Sequence, residues 1–307
     1  MSRVLAWVVL TGYRAGWAIV CRLPTRAAYR LFDLIASGMH RRGGKSVSRL
    51  RSNYARVRPE LDPEALDRLV HDGLRSYLRY WCEAFRLPVR DTADLVAQVE
   101  VRGDVPVRAE LQAGRGVACF LGHLGNWDTA GAWSTTQLWP VTTVAERLRP
   151  EELFTRFVAF RESLGMTILP LTGAGNAFAG LKSAIAEGAL VPLLADRDLT
   201  RTGVVVDFVG LPARMAPGPA ALALATGAAL FPVSVHYEPV PQAVHESGFR
   251  LVITFHDRVW PPENGAGAER IQAMTQACAD ALGETVRTRT EDWHMMQRVF
   301  VADLADG

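Results

Sequence analysis

A chain of 307 residues with 49% hydrophobic and 21% charged residues has the make-up of an ordinary globular protein, sized for one large or two small domains. Its formal net charge of +2 gives a weak overall field, and no zinc-ligand spacing or aromatic-basic stacking motif accompanies its arginines, which argues against nucleic acid as a partner. The four cysteines, Cys21, Cys82, Cys119 and Cys278, lie far apart and form no C-x-x-C, so a zinc site or disulfide framework is not expected and a reduced, cytoplasmic setting is.

The apolar stretch from Val4 to Leu23 contains Arg14, and a central arginine costs a membrane-spanning helix about 2.5–3.5 kcal/mol. Arg3 and Arg14, eleven positions apart, fall within roughly 20° of each other on a helix. One basic stripe on an apolar helix predicts a segment, residues 1–35, lying on the cytoplasmic face of an anionic membrane. A packed amphipathic helix and a single span are the alternatives. Arg41, Arg42, Lys45, Arg49, Arg51, Arg56 and Arg58 follow with no acidic residue between Asp33 and Glu60, either as solvated surface or as a patch for lipid or carrier phosphates. Asp62-Pro63 opens a helix with a cap and a proline at the first position, and Leu66, Leu69, Val70, Leu74, Leu78, Trp81 and Phe85 recur at helical spacing.

From Val99 onward short apolar runs alternate with helical stretches. The runs Val117 to Leu121, Val141 to Ala145, Thr167 to Leu169, Ala189 to Leu194, Ala229 to Val235 and Leu251 to Phe255 predict an α/β fold with a mostly parallel central sheet flanked by helices. With no repeat or linker in view, residues 36–307 are expected to form one domain behind the helical N-terminal segment. In such sheets ligands gather beyond the carboxyl ends of the strands. His123 and Asp128 follow one run, Glu146 and Arg147 another, and Asp196, Arg197 and Asp198 a third.

Gly122-His123-Leu124-Gly125-Asn126-Trp127-Asp128 sets a histidine and a carboxylate five residues apart, which diverge by roughly 140° on one helix and so require a turn. With His123 in the loop and Asp128 in the next helix, the carboxylate is expected to accept a hydrogen bond from one ring nitrogen and leave the other to deprotonate a hydroxyl. A turn histidine beside a helix-capping aspartate is the bland alternative. The glycines of Leu171 to Ser183 fit neither a dinucleotide nor a triphosphate loop, because Phe178 and Leu181 stand where Gly and Lys are required. A turn capped by Asn176 accounts for them. No G-x-S-x-G or H-E-x-x-H is present, which removes the common serine-hydrolase and zinc-protease readings.

The Gly-His-x-Gly-Asn-Trp-Asp heptad resembles the first motif of the bacterial lipid A acyltransferases and their relatives in the lysophospholipid acyltransferase superfamily. The likeness continues through Ala195-Asp196-Arg197-Asp198, the stretch Val206 to Ala213 and the stretch Gly227 to Val233, covering about residues 100 to 240. The ending Asp292-Trp293-His294-Met295-Met296-Gln297-Arg298-Val299-Phe300 looks most like the branch that acylates phosphatidylinositol mannosides. The glycerolipid branch usually carries Pro-Glu-Gly-Thr in its third motif, which is absent here.

That resemblance implies transfer of a long acyl chain, palmitoyl being the expected one, from acyl-CoA to a mannose hydroxyl of a membrane glycolipid, with no metal or other cofactor. Acyl carrier protein and lipid A precursors are the alternative donor and acceptor. The resemblance also implies site roles for Glu146, Arg161, Asp196, Arg197 and Asp198. Asp196 and Asp198 are expected to bind acceptor hydroxyls or to pair with Arg197 and Arg201, and His294 is a possible further site residue. An acyl-CoA hydrolase and a non-catalytic lipid-binding protein are the rivals from other classes.

Overall fold

The computed structural model describes residues 16–145, 151–170, 176–198 and 202–304. Arg3, Arg14, Glu146, Arg147, Arg201 and the glycines at 173 and 175 lie outside the described residues. The chain begins with helical residues 16–22 (α1), then α2 (Thr25–Arg42), α3 (Lys45–Val57), α4 (Pro63–Arg86) and α5 (Thr92–Gln98). The α/β part runs β1 (Val99–Arg102), α6 (Val105–Gln112), β2 (Val117–Leu121), α7 (Trp127–Gln137), β3 (Thr142–Ala145), α8 (Glu151–Ser163), β4 (Thr167–Pro170), α9 (Ala177–Ala186) and β5 (Leu190–Leu194). It continues with β6 (Val204–Phe208), β7 (Leu211–Met215), α10 (Gly218–Thr226), β8 (Ala229–Pro239), β9 (Phe249–Phe255), α11 (Gly267–Thr288) and α12 (Val301–Leu304).

The main sheet has the order β1-β9-β8-β2-β5. Within it β8, β2 and β5 are mutually parallel, β1 and β9 are parallel to each other, and the single antiparallel contact joins β8 to β9. The parallel pair β3-β4 adjoins β5 through a bridge between Val141 and Leu190. Every residue of β2 is buried, as expected of a strand covered on both faces. The expected α/β class and its six strands are therefore present. The stretch Val206 to Ala213 lies in an antiparallel hairpin, β6-β7.

Asp62 caps α4 by accepting the Ala65 N–H at 2.7 Å, with Pro63 at the first helical position. This long helix is the spine on which the N-terminal segment packs. Trp17 donates its indole N–H to the Phe85 carbonyl at 2.8 Å, and Arg86 reaches back to the carbonyls of Val20 and Leu23. Helix α2 runs through residue 35, the boundary expected from sequence, and buries Ala28, Phe32 and Ala36. Leu31, Leu34 and Ile35 of the same helix are exposed. Among the described residues no helix is long and apolar enough to cross a membrane. The arginine window is tied down in part: Arg49 and Arg56 pair with Asp303, Arg51 with Asp67 and Arg58 with Glu60.

Candidate active site

The heptad after β2 resolves into separate physical tasks. An added Cβ at Gly122 would meet Leu124 at 2.7 Å and Leu282 at 2.8 Å. Gly125 holds φ at +54°, and a Cβ there would lie 2.6 Å from the Val235 carbonyl oxygen. The two glycines thus let the chain turn against the core. Leu124 is fully buried. Asn126 caps α7 by accepting the Thr129 N–H at 2.9 Å and donates its amide to Glu83 at 2.8 Å. Glu83 is itself buried and also accepts from Tyr29, Gln98 and Tyr237, so the start of α7 is pinned to α4 and β8.

The expected hydrogen bond between His123 and Asp128 is not the one formed. His123 Nδ1 lies 2.6 Å from Asp196 Oδ1, and the His123 backbone N–H donates to Asp196 Oδ2 at 2.9 Å. The reason is the sheet register. Leu121 of β2 pairs with Leu194 of β5, so the residues two positions beyond each strand end emerge side by side. Asp196 is wholly buried and accepts a third hydrogen bond, from the Trp293 indole at 2.9 Å. Burial opposes its ionisation, but the charge of His123 and these hydrogen bonds outweigh it and hold the carboxyl below its ordinary value. Asp196 is thus engaged by the His123 ring, the His123 backbone and the Trp293 indole.

Asp128 has a different task. Its Oδ1 accepts from Arg161 Nε at 2.6 Å, and its Oδ2 accepts from Tyr80 at 2.8 Å and from Arg161 Nη2 at 3.3 Å. The adjacent carboxylate makes the Arg161 guanidinium still more basic than usual. Asp128 therefore brings α8 against α7 and α4 and fixes Arg161 at the cleft wall. Burial and the Asp128 charge push the Tyr80 hydroxyl well above its ordinary value, so it acts as a neutral donor.

His123, Trp127, Asp128, Arg161, Arg197 and Asp198 line one cleft of about 490 Å³, with Leu121, Gly131, Met166, Pro192 and Leu194 among its apolar walls. A small apolar cavity of about 40 Å³ shares Leu121, Trp127, Gly131 and Pro192 with it and reaches Cys119 and Phe255 between α7 and the sheet. The structure thus gathers His123, Asp128, Arg161, Arg197 and Asp198 at one opening, with Asp196 buried behind them. Burial pushes the Cys119 thiol up, which leaves it a packing residue. The small-residue helix α10 buries Pro219, Ala220, Leu222 and Ala223 and contributes none of the residues lining either cavity.

His294 sits close by but in another state. It is buried, with Nε2 3.0 Å from Ser76 Oγ, and burial together with the charges of Arg79 and His123 pushes its pKa down to about 3. Burial thus favours its neutral form. Sequence reasoning missed Tyr80 and Trp293 as members of this site. Equal distances from strand ends, two residues for both His123 and Asp196, were the signal that would have found the pair. Among the described residues no group of three His, Cys, Asp or Glu side chains is gathered to hold a metal ion.

Known proteins match this chain over nearly its whole length. A family model described as bacterial lipid A biosynthesis acyltransferase matches residues 2–301. A protein of Mycolicibacterium smegmatis named phosphatidylinositol mannoside acyltransferase is 43% identical over 296 residues, covering 96% of this chain and 92% of the relative. A protein of the same name from Mycobacterium tuberculosis H37Rv is 41% identical over 297 residues, covering 96% and 89%.

Proposed function

Because the chain belongs to the bacterial lipid A biosynthesis acyltransferase family and is an acyltransferase, we propose that it moves a long-chain acyl group, palmitoyl by preference, from acyl-CoA to a mannose hydroxyl of a phosphatidylinositol mannoside. The acceptor follows from the two relatives so named. The observation that carries the mechanism is the 2.6 Å contact of His123 Nδ1 with buried Asp196, made by a histidine that lines the cleft.

A thioester is already activated, whereas an alcohol is a poor nucleophile at neutral pH, so the reaction needs a base in contact with the hydroxyl. With Nδ1 engaged by Asp196, His123 Nε2 takes the proton as the hydroxyl oxygen bonds to the thioester carbonyl carbon. Asp196 stabilises the imidazolium that results. The tetrahedral oxyanion is met by the N–H groups of Trp127 and Asp128 at the start of α7, the Thr129 N–H being taken by Asn126. Collapse breaks the carbon–sulfur bond, and the thiolate recovers the proton from His123. Asp128 keeps Arg161 in place for anionic or polar parts of the substrates, and Arg197 and Asp198 border the same opening. No resident cofactor is required by these steps.

The membrane is the source of the acceptor. The exposed Leu31, Leu34 and Ile35 of α2, close in sequence to exposed Arg26 and Arg30, suit peripheral association with an anionic lipid surface on the cytoplasmic side. The test is a mass-spectrometric assay of purified wild-type protein and His123→Ala with palmitoyl-CoA and a phosphatidylinositol mannoside. Acceptor-dependent acylation that vanishes in the variant supports the proposal. Hydrolysis of acyl-CoA without any need for the glycolipid, or transfer only from acyl carrier protein to a lipid A precursor, would replace it.

A further inference from the structure

The segment Asp292 to His294 comes from the far end of the chain and closes over the His123 loop. The His294 backbone N–H donates to the His123 carbonyl at 2.8 Å, and the Gly125 N–H donates to the Asp292 carbonyl at 2.9 Å. Between these two main-chain bonds, Trp293 sends its indole N–H to Asp196 Oδ2 at 2.9 Å. The tryptophan is fully buried. Tyr54 of α3 donates to its carbonyl at 3.0 Å, and Phe208 of β6 packs on its ring at 5.6 Å between centroids.

A buried indole has one donor and must place it somewhere. Here that donor goes to the carboxylate that partners the base. A carboxylate's terminal torsion is broad and roughly two-fold, so one donor on Oδ2, the His123 backbone N–H, leaves the group free to rock about that contact. Two donors from different elements fix the plane and keep Oδ1 on His123 Nδ1. We infer that Trp293 is the positioning residue of the catalytic pair: its indole N–H holds the Asp196 carboxylate in the orientation that keeps His123 aimed at the acceptor hydroxyl. This rests on the reading of His123 as general base. It adds a third member, 97 residues beyond Asp196, that touches neither substrate.

The same donor also draws charge from the carboxylate, so its removal leaves a proton held more tightly by the His123–Asp196 pair. The other charged or titratable groups around this contact are Asp292 and His294 on either side of Trp293, Arg79 beside both, and, in the cleft, Asp128, Arg161, Arg197 and Asp198. The benzothiophene analogue keeps every one of them in the chain and removes the indole N–H alone.

The experiment uses the full chain with Trp293→Phe and, to preserve shape, with the benzothiophene analogue of tryptophan placed at 293, which puts sulfur where the N–H stood. Both are measured beside wild type and His123→Ala with palmitoyl-CoA and a phosphatidylinositol mannoside. The readouts are kcat, KM for the acyl donor, the acidic limb of the pH–rate profile and the downfield NMR resonance of the His123 Nδ1 proton. Loss of one charge-assisted hydrogen bond is expected to lower kcat roughly tenfold with KM unchanged, to move the acidic limb to higher pH and to displace the resonance. A folded analogue with wild-type kcat, limb and resonance overturns the inference. So does a loss of kcat with limb and resonance unmoved, which marks general packing. Activity retained by His123→Ala, or wild-type inactivity with these substrates, refutes the underlying base or substrate reading instead, and the resonance still reports on Trp293.

Discussion

Replacing Asp196 by Asn changes one atom and should stop the reaction. Oδ2 of Asp196 accepts from two N–H groups, those of the His123 backbone and the Trp293 indole, both at 2.9 Å. In the variant only the amide oxygen can take that place, so the amide NH2 is forced toward His123 Nδ1. A donor facing Nδ1 requires Nδ1 to accept, and the ring proton then resides on Nε2. The nitrogen offered to the substrate already carries its proton and cannot act as base. The analogous change in a serine-protease triad preserves geometry and lowers kcat about 10⁴-fold through the wrong tautomer. A loss of roughly 10³- to 10⁴-fold is therefore expected, or ~4–5.5 kcal/mol in activation free energy, while KM changes little. Acceptor-dependent product formation by mass spectrometry measures kcat, and circular dichroism checks the fold. Because His123 and Asp196 act as a unit, the double variant His123→Ala/Asp196→Asn should be no slower than His123→Ala alone. A folded Asp196→Asn enzyme keeping a tenth of the wild-type kcat, or losses that multiply in the double variant, would refute this account of the site.

Asp128→Asn leaves the largely buried Arg161 guanidinium facing a neutral amide, and removing one partner of a buried pair costs about 3–5 kcal/mol; calorimetry should show a clear fall in Tm, and an unchanged Tm would mean that the pair is not an internal tie. Gly125→Ala has to accommodate φ of +54° and a Cβ 2.6 Å from the Val235 carbonyl oxygen, so it should destabilise by at least ~1–2 kcal/mol. That loss would be visible as a lower urea midpoint, and wild-type stability would contradict the close approach. Asp292 is buried, and burial pushes its carboxyl up to about 6. Between roughly 4 and 6 the folded chain keeps a proton that the unfolded chain has released, so this group's contribution to stability falls by ~3 kcal/mol as pH rises through that window and is level above it. Asp292→Asn should thus raise Tm at pH 7.5 relative to wild type by more than at pH 4, and an equal difference at both pH values would rule the assignment out.

The fold was legible because both of its periodicities are clean. The apolar residues of α4 recur at helical spacing behind an Asp-Pro start, and β2, buried along its whole length, reads as an uninterrupted apolar run. Strand β1 was missed because Val99-Glu100-Val101-Arg102 is short and only partly buried. The hairpin β6-β7 was recognised as a motif and not as strands. Its burial alternates, while Val209 and Gly210 at the turn both take positive φ, a conformation that valine rarely adopts and that composition does not signal.

The site was half legible, and the reason lies in what sequence distance measures. Spacing along one segment favoured Asp128 as the partner of His123, since five residues is the nearest carboxylate. In a parallel sheet, however, neighbours are set by register, and a crossover of more than seventy residues returns the chain to within hydrogen-bond reach. His123 and Asp196 each stand two positions past paired residues Leu121 and Leu194, so the strands themselves deliver imidazole and carboxylate to the same end of the sheet. Asp128, in the first turn of α7, is directed to Arg161 and Tyr80 instead. Parallel pairing therefore brings together groups that stand at equal distances beyond paired residues, however far apart they lie in sequence.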